Sequence, residues 1–169
     1  LASGLAPTTV LHIHKVLSRA LAQALREDLV SRNVATLVDP PRVGATNVRV
    51  FSVEQARQFV AEVSGSRLEA AFLVALGAGL RRGELLALTW DDIRIEEGHL
   101  AVRRSLMKVP GGWRIAEPKN ASSRRVVKLP EFAIDALRRH RTRQVEERLA
   151  APVWEDPNLV FATTVGTPI

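Results

Sequence analysis

Neither cysteine nor tyrosine occurs among the 169 residues, methionine occurs once, and aromatic residues make up 5% of the chain. Each shortage removes a class of chemistry. Without cysteine there is no disulfide, no thiolate nucleophile and no cysteine-ligated zinc, which fits a reducing compartment. Without tyrosine there is no phenolic nucleophile. Long apolar runs are missing as well: LEAAFLVALGAGL, Leu68 to Leu80, falls short of the ~20 residues that a membrane helix needs and reads as a buried helix, with no membrane partner expected. No basic, apolar and small-residue leader opens the chain, so a cytoplasmic location is expected. His12 and His14, two residues apart, suit neither one helix face nor a metal lacking other ligands, and no metal or cofactor is expected. The chain begins at Leu1 rather than Met, which suggests a piece of a longer protein.

What is present is positive charge, unevenly placed. Lysine and arginine total 24 against 18 acidic residues, a net charge of +6. Residues 99–148 hold most of the imbalance, and such a local strip points to a polyanionic partner, DNA or RNA. An acidic membrane surface is the weaker alternative, because no amphipathic helix with a bulky aromatic face accompanies the charge.

Along the chain, Pro7-Thr8-Thr9 opens a helix predicted to run to about Val30, with Val10, Ile13, Leu17 and Ala24 on its apolar face. His14, Lys15 and Arg19 lie mostly off that face, either as a solvated basic surface or as phosphate contacts. One helix cannot bury its own stripe. Asp39-Pro40-Pro41-Arg42, Gly44, Thr46 and Asn47 have no periodicity and read as a linker over 39–51. Ser52-Val53-Glu54-Gln55 is a capping box for a helix to about Val63, with Val53, Ala56, Val60 and Phe59 turned inward.

The apolar run follows, with Leu68, Ala71, Phe72, Ala75, Leu76 and Gly79 on one stripe. Gly77 and Gly79 weaken its end, so Arg81 is expected at a helix-to-helix corner, with Glu84 at the spacing from which a carboxylate reaches back to the first turn. A guanidinium held in this way matches the two non-bridging oxygens of a phosphate. Arg81 and Arg82 as ordinary surface charges capped by Glu84 is the plainer alternative.

After Trp90-Asp91-Asp92 the period changes to that of strands. Ile93 and Ile95, His99 to Met107, Trp113 to Glu117 and Arg124 to Leu129 form a small antiparallel sheet, with Pro118 to Ser123 as a loop tip. Pro130 opens a helix to about Ala150, its early half burying Ala133, Ile134 and Leu137 and its charged later half projecting. His140-Arg141-Thr142-Arg143 reads as a solvated face of that helix, and Trp90, Trp113 and Trp154 read as core or sheet-packing residues.

In this order the chain resembles the tyrosine recombinases, specifically the phage-type integrases. Gly79-Leu80-Arg81-Arg82-Gly83-Glu84-Leu85-Leu86-Ala87-Leu88 with Trp90-Asp91-Asp92-Ile93 is similar to their first-arginine box, and Pro118-Lys119-Asn120-Ala121-Ser122-Ser123-Arg124-Arg125 to their hairpin-lysine segment. The resemblance implies a mixed α+β fold, mainly helical with a small three-stranded antiparallel sheet. Residues 1–38 would be the end of a helical core-binding domain and 52–169 the first part of a catalytic domain. It also implies that Arg81 grips the scissile phosphate, that Glu84 supports it, and that Lys119 is a general acid toward the leaving 5′ oxygen. His14, Lys15, Arg19, Arg82, Arg124 and Arg125 would contact double-stranded DNA, and the parent would work as a homotetramer without metal or nucleotide. Asn120 and Val34 depart from the family's usual threonine and proline. The family's His-x-x-Arg box and tyrosine nucleophile have no counterpart here; His140 and Arg143 spell that box too early in the order. The reading is therefore an inactive fragment of a site-specific recombinase, with a decayed or non-catalytic DNA-binding module as the alternative. An RNA-binding sheet lacks the exposed aromatic pair for stacking.

Overall fold

A computed structural model describes residues 4–44, 49–116, 124–156 and 158–169. The chain divides into two compact units, Leu1–Val50 and Phe51–Ile169. No helix among the described residues is long and apolar enough to cross a membrane.

In the first unit α1, Pro7–Arg26, starts on proline, which loses nothing by lacking an N–H at that position. It stops four residues before the Val30 expected from periodicity. Asp28 takes a left-handed φ of 54°, and the Leu29 N–H closes onto the Ala24 carbonyl at 2.9 Å, a terminus more often built on glycine or asparagine. A short 3-10 turn, Val34–Leu37, packs back on the helix: Asn33 Nδ2 donates to the Ser18 carbonyl at 2.9 Å, and Ala35 is buried. No residue of α1 is buried, and Ile13, Val16 and Leu17 are each more than half exposed.

The second unit is built around α3, Glu69–Ala78, and α5, Glu131–Ala150, with α2, Val53–Val63, and the short α4, Arg82–Leu86. Ser52 and Gln55 form the expected capping box: Ser52 Oγ accepts from the Gln55 N–H and Gln55 Oε1 from the Ser52 N–H. Helix α2 nevertheless buries none of its residues, and Phe59 instead stands between Phe51 and Phe72, ring centres 5.7 and 5.6 Å away. The stripe expected on α3 is rotated. Ala70, Ala71, Leu73 and Val74 are buried, whereas Phe72 and Leu76 are 40% and 42% exposed. A helix apolar on every side carries no phase of its own, so its packing partners choose the inner face. One such choice is at Gly77, where a Cβ would lie 2.7 Å from the Pro130 ring.

The sheet is antiparallel and three-stranded, as expected, but its members differ. Strands β1 (Ile93–Arg94), β2 (His99–Val102) and β5 (Arg125–Lys128) form it in the order β1-β2-β5, while β3 (Ser105–Val109) and β4 (Gly112–Ala116) make a separate hairpin. The single strand predicted over 99–107 is two. Leu100, Val102 and Leu106 are buried in unbroken alternation, with Arg104 in the same phase, so periodicity carries straight through the break. Arg104 ends the pairing by turning its Nη2 onto Asp92 Oδ2 and Thr89 Oγ1, both at 2.7 Å. Trp113, expected to pack, is half exposed on the hairpin.

Helix α5 departs furthest from expectation. Its buried stripe runs Ala133, Ala136, Leu137, His140 and Gln144, so the polar half does not project. Leu159 to Ala162 enter the core beside it, the Val160 N–H donating to the Leu88 carbonyl at 2.9 Å. Two polar side chains satisfy this segment's carbonyls: His140 Nε2 donates to Val160 O at 2.6 Å, and Gln144 Nε2 donates to Leu159 O and Val160 O at 3.0 Å. Trp90 Nε1 completes the group by donating to Gln144 Oε1 at 2.7 Å. Arg67 grips Glu147 through two bonds, and Arg143 donates to the carbonyls of Ser66 and Arg67, fastening the later half of α5 to the start of α3. His140 is thus a core residue and not a solvated one.

With Nε2 donating, His140 Nδ1 is left as the acceptor of Arg143 Nη2 at 3.3 Å, and burial pushes its pKa below the usual 6.5. A histidine that resists protonation when folded contributes stability above that value, lost as acid titrates the unfolded chain. Chemical denaturation should therefore show stability falling as pH drops below about 6.5, with a shallower fall in His140→Gln. A pH profile identical in the two proteins would contradict it.

Candidate active site

The site starts from a turn that only a flexible backbone can make. Gly79 ends α3 at φ 59°, the left-handed conformation that costs other residues a Cβ clash, and the chain reverses into an extended Arg81 that precedes α4. Gly83 then lets α4 press on β3: a Cβ there would meet the Leu106 carbonyl oxygen and Ser105 Oγ, each at 2.6 Å. Backbone contact therefore fixes the depth of α4, and with it the origin of the Arg81 side chain.

Glu84 is the centre of the arrangement. Its side chain is 6% exposed, and it accepts four hydrogen bonds from two residues. The Arg81 N–H donates to Oε2 at 3.0 Å and Arg81 Nη1 to Oε1 at 3.0 Å; Arg125 Nη1 and Nη2 add a fork at 3.1 and 2.8 Å. Arg125 reaches Glu84 from β5, where register sets it opposite Val102 of β2. The Arg125 bonds chiefly, opposed by burial and aided by those from Arg81, hold the Glu84 carboxyl down at about 2. Reciprocally, Glu84 raises the Arg125 guanidinium above its ordinary value. Two cations on one buried anion leave a net positive charge, and it is presented by Arg81, whose side chain remains 79% exposed. A half-held guanidinium facing solvent is built to take an oxyanion with the donors that Glu84 does not use.

Of the predicted residues, Arg81, Glu84 and Arg125 meet directly, with Arg125 bracing the same two carboxylate oxygens that Arg81 uses. Arg82 is exposed beside them, and Arg124 is exposed at the foot of β5. Lys119 lies outside the described residues, as does most of the hairpin-lysine segment. Lys108 and Lys128 sit within β3 and β5. In the first unit Lys15 and Arg19 are exposed, while His14 Nε2 is occupied by the carbonyls of Ala35 and Val38 at 2.9 and 3.1 Å. His140 and Arg143 contribute to the core, away from any phosphate role. Among the described residues no cluster of histidine and carboxylate side chains could hold a metal.

The family model for the phage integrase family matches residues 48–169. The chain belongs to the phage integrase family. An integrase of Streptomyces ambofaciens is 34% identical over 168 residues, covering 93% of this chain and 42% of that protein. A XerC-like tyrosine recombinase of Caldanaerobacter subterraneus is 37% identical over 137 residues, covering 73% of this chain and 35% of its own length. This integrase-family chain thus spans less than half of either relative. Among solved structures, the Tn1549 transposon integrase in complex with a circular intermediate DNA superposes with a TM-score of 0.80 at 24% identity, covering 98% of this chain and 54% of the other. A lambda integrase tetramer bound to a Holliday junction gives 0.60 at 19% identity, covering 98% and 44%. The described fold, mixed α and β with a small antiparallel sheet, is shared with these integrases.

Sequence reasoning missed the bracing role of Arg125 and the whole of the Arg103, Arg104 and Asp92 group. Thr89-x-x-Asp92 was legible as a capping spacing: the Thr89 N–H and Oγ1 both donate to Asp92 Oδ2, at 3.1 and 2.9 Å. That this carboxylate would also recruit Arg104 from beyond a turn was not.

The Glu84 contribution to stability is fully present above about 4.5, the carboxyl's ordinary value, and is lost as pH falls from there toward about 2. Glu84→Gln should cost about 3 kcal/mol at neutral pH and flatten that part of the acid limb, because a buried pair loses one partner. Arg81→Ala should stay within about 0.5 kcal/mol of wild type, as befits an exposed side chain. Urea titrations at several pH values read both effects, and equal losses for the two variants would refute the division between bracing carboxylate and exposed cation.

Proposed function

We propose that this chain supplies the phosphate-gripping part of a site-specific recombinase that cuts and rejoins double-stranded DNA. The observation that carries this reading is the exposed Arg81 guanidinium, fixed at its base by a carboxylate that is itself buried and braced by Arg125. Arg81 holds the scissile phosphodiester and offsets the charge that spreads over its equatorial oxygens as the phosphorus is attacked. Glu84 keeps that guanidinium in place, and Lys119 gives a proton to the departing 5′ oxygen. The nucleophile of the phosphotyrosyl reaction has to come from outside these 169 residues, since none of them is tyrosine. Residues 1–38 act as the end of a core-binding domain on the duplex, through His14, Lys15 and Arg19. Residues 39–51 link it to a catalytic portion that touches DNA through Arg82 and Arg124, while Arg125 braces Glu84 from within. The complete recombinase works on two duplexes as a homotetramer, in the cytoplasm, with no metal or nucleotide.

A second reading, a module that occupies DNA without cutting it, is favoured by the same lack of tyrosine. Both readings require binding to duplex DNA driven by counterion release, so log affinity should fall linearly with log salt, by about 0.9 per phosphate neutralised. Arg81→Ala should shallow that slope by about 1. Fluorescence anisotropy on a labelled duplex from low to physiological salt measures both, and an affinity indifferent to salt rejects both readings. Incubation of the 169-residue chain with nicked duplex should leave no covalent protein–DNA adduct on a denaturing gel; an adduct would mean that another side chain is the nucleophile.

A further inference from the structure

The β3–β4 hairpin lies outside the three-stranded sheet and meets α4 at its foot, where Ser105 and Leu106 press on Gly83. From there two five-residue strands, Ser105–Val109 and Gly112–Ala116, run out to a turn at Pro110 and Gly111. Past Leu106 the ribbon stops burying its side chains: Met107, Trp113 and Ile115 are 43%, 50% and 37% exposed. Register sets Lys108 opposite Trp113 and Arg114 opposite Met107, so each face of the ribbon carries one cation beside one large apolar side chain. No acidic residue occurs from Gly98 to Ala116, and among the described residues no carboxylate pairs with Lys108 or Arg114.

We infer that this hairpin is a reading element, which lies in the major groove of duplex DNA beside the phosphodiester held by Arg81 and places Lys108, Trp113 and Arg114 against base edges. The inference rests on the recombinase reading above and deepens it, adding contacts to bases where Arg81 reaches only the backbone.

Size, charge and position each favour that occupant. A two-stranded ribbon fits a major groove about 12 Å wide and is too broad for a minor groove of about 6 Å. A second copy of this chain docked on the ribbon would strip water from two cations and give them no partner. Duplex DNA instead offers phosphates on both groove walls and the O6 and N7 acceptors of guanine on the floor, which lysine and arginine match. Trp113 brings a flat apolar surface with an Nε1–H donor, suited to thymine methyl groups and base acceptors. Gly83 follows Arg81 by two residues, so the ribbon's foot stands beside the phosphate site, and five residues at about 3.3 Å each carry its tip roughly 16 Å onward. That reach covers about five base pairs at 3.4 Å per step.

The test measures anisotropy of the 169-residue protein on a labelled mixed-sequence duplex and on the same duplex with glucosylated 5-hydroxymethylcytosines, which fill the major groove and leave the phosphates alone. Wild type should bind the filled duplex about tenfold more weakly, and Lys108→Ala/Arg114→Ala should bind the two duplexes alike. Trp113→Ala should weaken binding to the open duplex severalfold, with most of it recovered in Trp113→Phe; all these side chains are exposed, so each variant should melt with wild type. A wild-type protein that binds no duplex at low salt removes the recombinase reading and the ribbon's role with it. Wild-type binding that ignores the filled groove overturns the ribbon's role alone, as does a double variant that still discriminates as wild type does. Sedimentation without DNA should show a monomer, and a dimer that Trp113→Ala abolishes would give the ribbon to a second copy instead.

Discussion

A single buried carboxylate organises the working end of this protein. Glu84 is expensive to bury, and its cost is met by four hydrogen bonds, two of them a fork from Arg125. Because those bonds join the start of α4 to β5, the same group that keeps Arg81 ready for an anion also docks the sheet against the helices. Stability and the presentation of an exposed cation therefore meet in one side chain, but they leave it by different routes: through Arg125 into the fold and through Arg81 into solvent.

The core behind this centre shows a similar economy. Helix α3 is apolar on nearly every side and supplies bulk without direction, while direction comes from polar residues that find unique partners. His140, Gln144 and Trp90 each recognise one place on the 158–162 segment or on one another. Apolar contacts tolerate sliding by a turn; a histidine donating to one particular carbonyl does not. The polar stripe of α5 thus sets the register of the packing that Leu137, Val160 and Phe161 make tight.

Much of this could be read from the residues alone. Local chemistry was legible where it acts over three or four positions: the Ser52–Gln55 capping box, the glycine that ends α3, and the reach of Glu84 back to Arg81. The arginine box and the hairpin segment carried the family resemblance because their spacing reflects a chemical task. What periodicity could not convey was any choice made by a distant partner. The inward face of α3, the break between β2 and β3, and the burial of His140 were each decided by a residue beyond the reach of local periodicity, Pro130, Asp92 and Val160 respectively. Arg125 illustrates the limit well, since its charge was visible and its employer was not.

The two strands that flank residues 117–123 are both moored to α4. On one side the β3–β4 hairpin abuts Gly83 through the Leu106 carbonyl and Ser105 Oγ; on the other, β5 is tied to Glu84 by the guanidinium of Arg125. Any displacement of α4, which Arg81 caps, is consequently passed to β4 and β5 at once. Anchor and sheet share a chassis, so the exposed guanidinium at the start of α4 cannot be displaced without carrying both strands along.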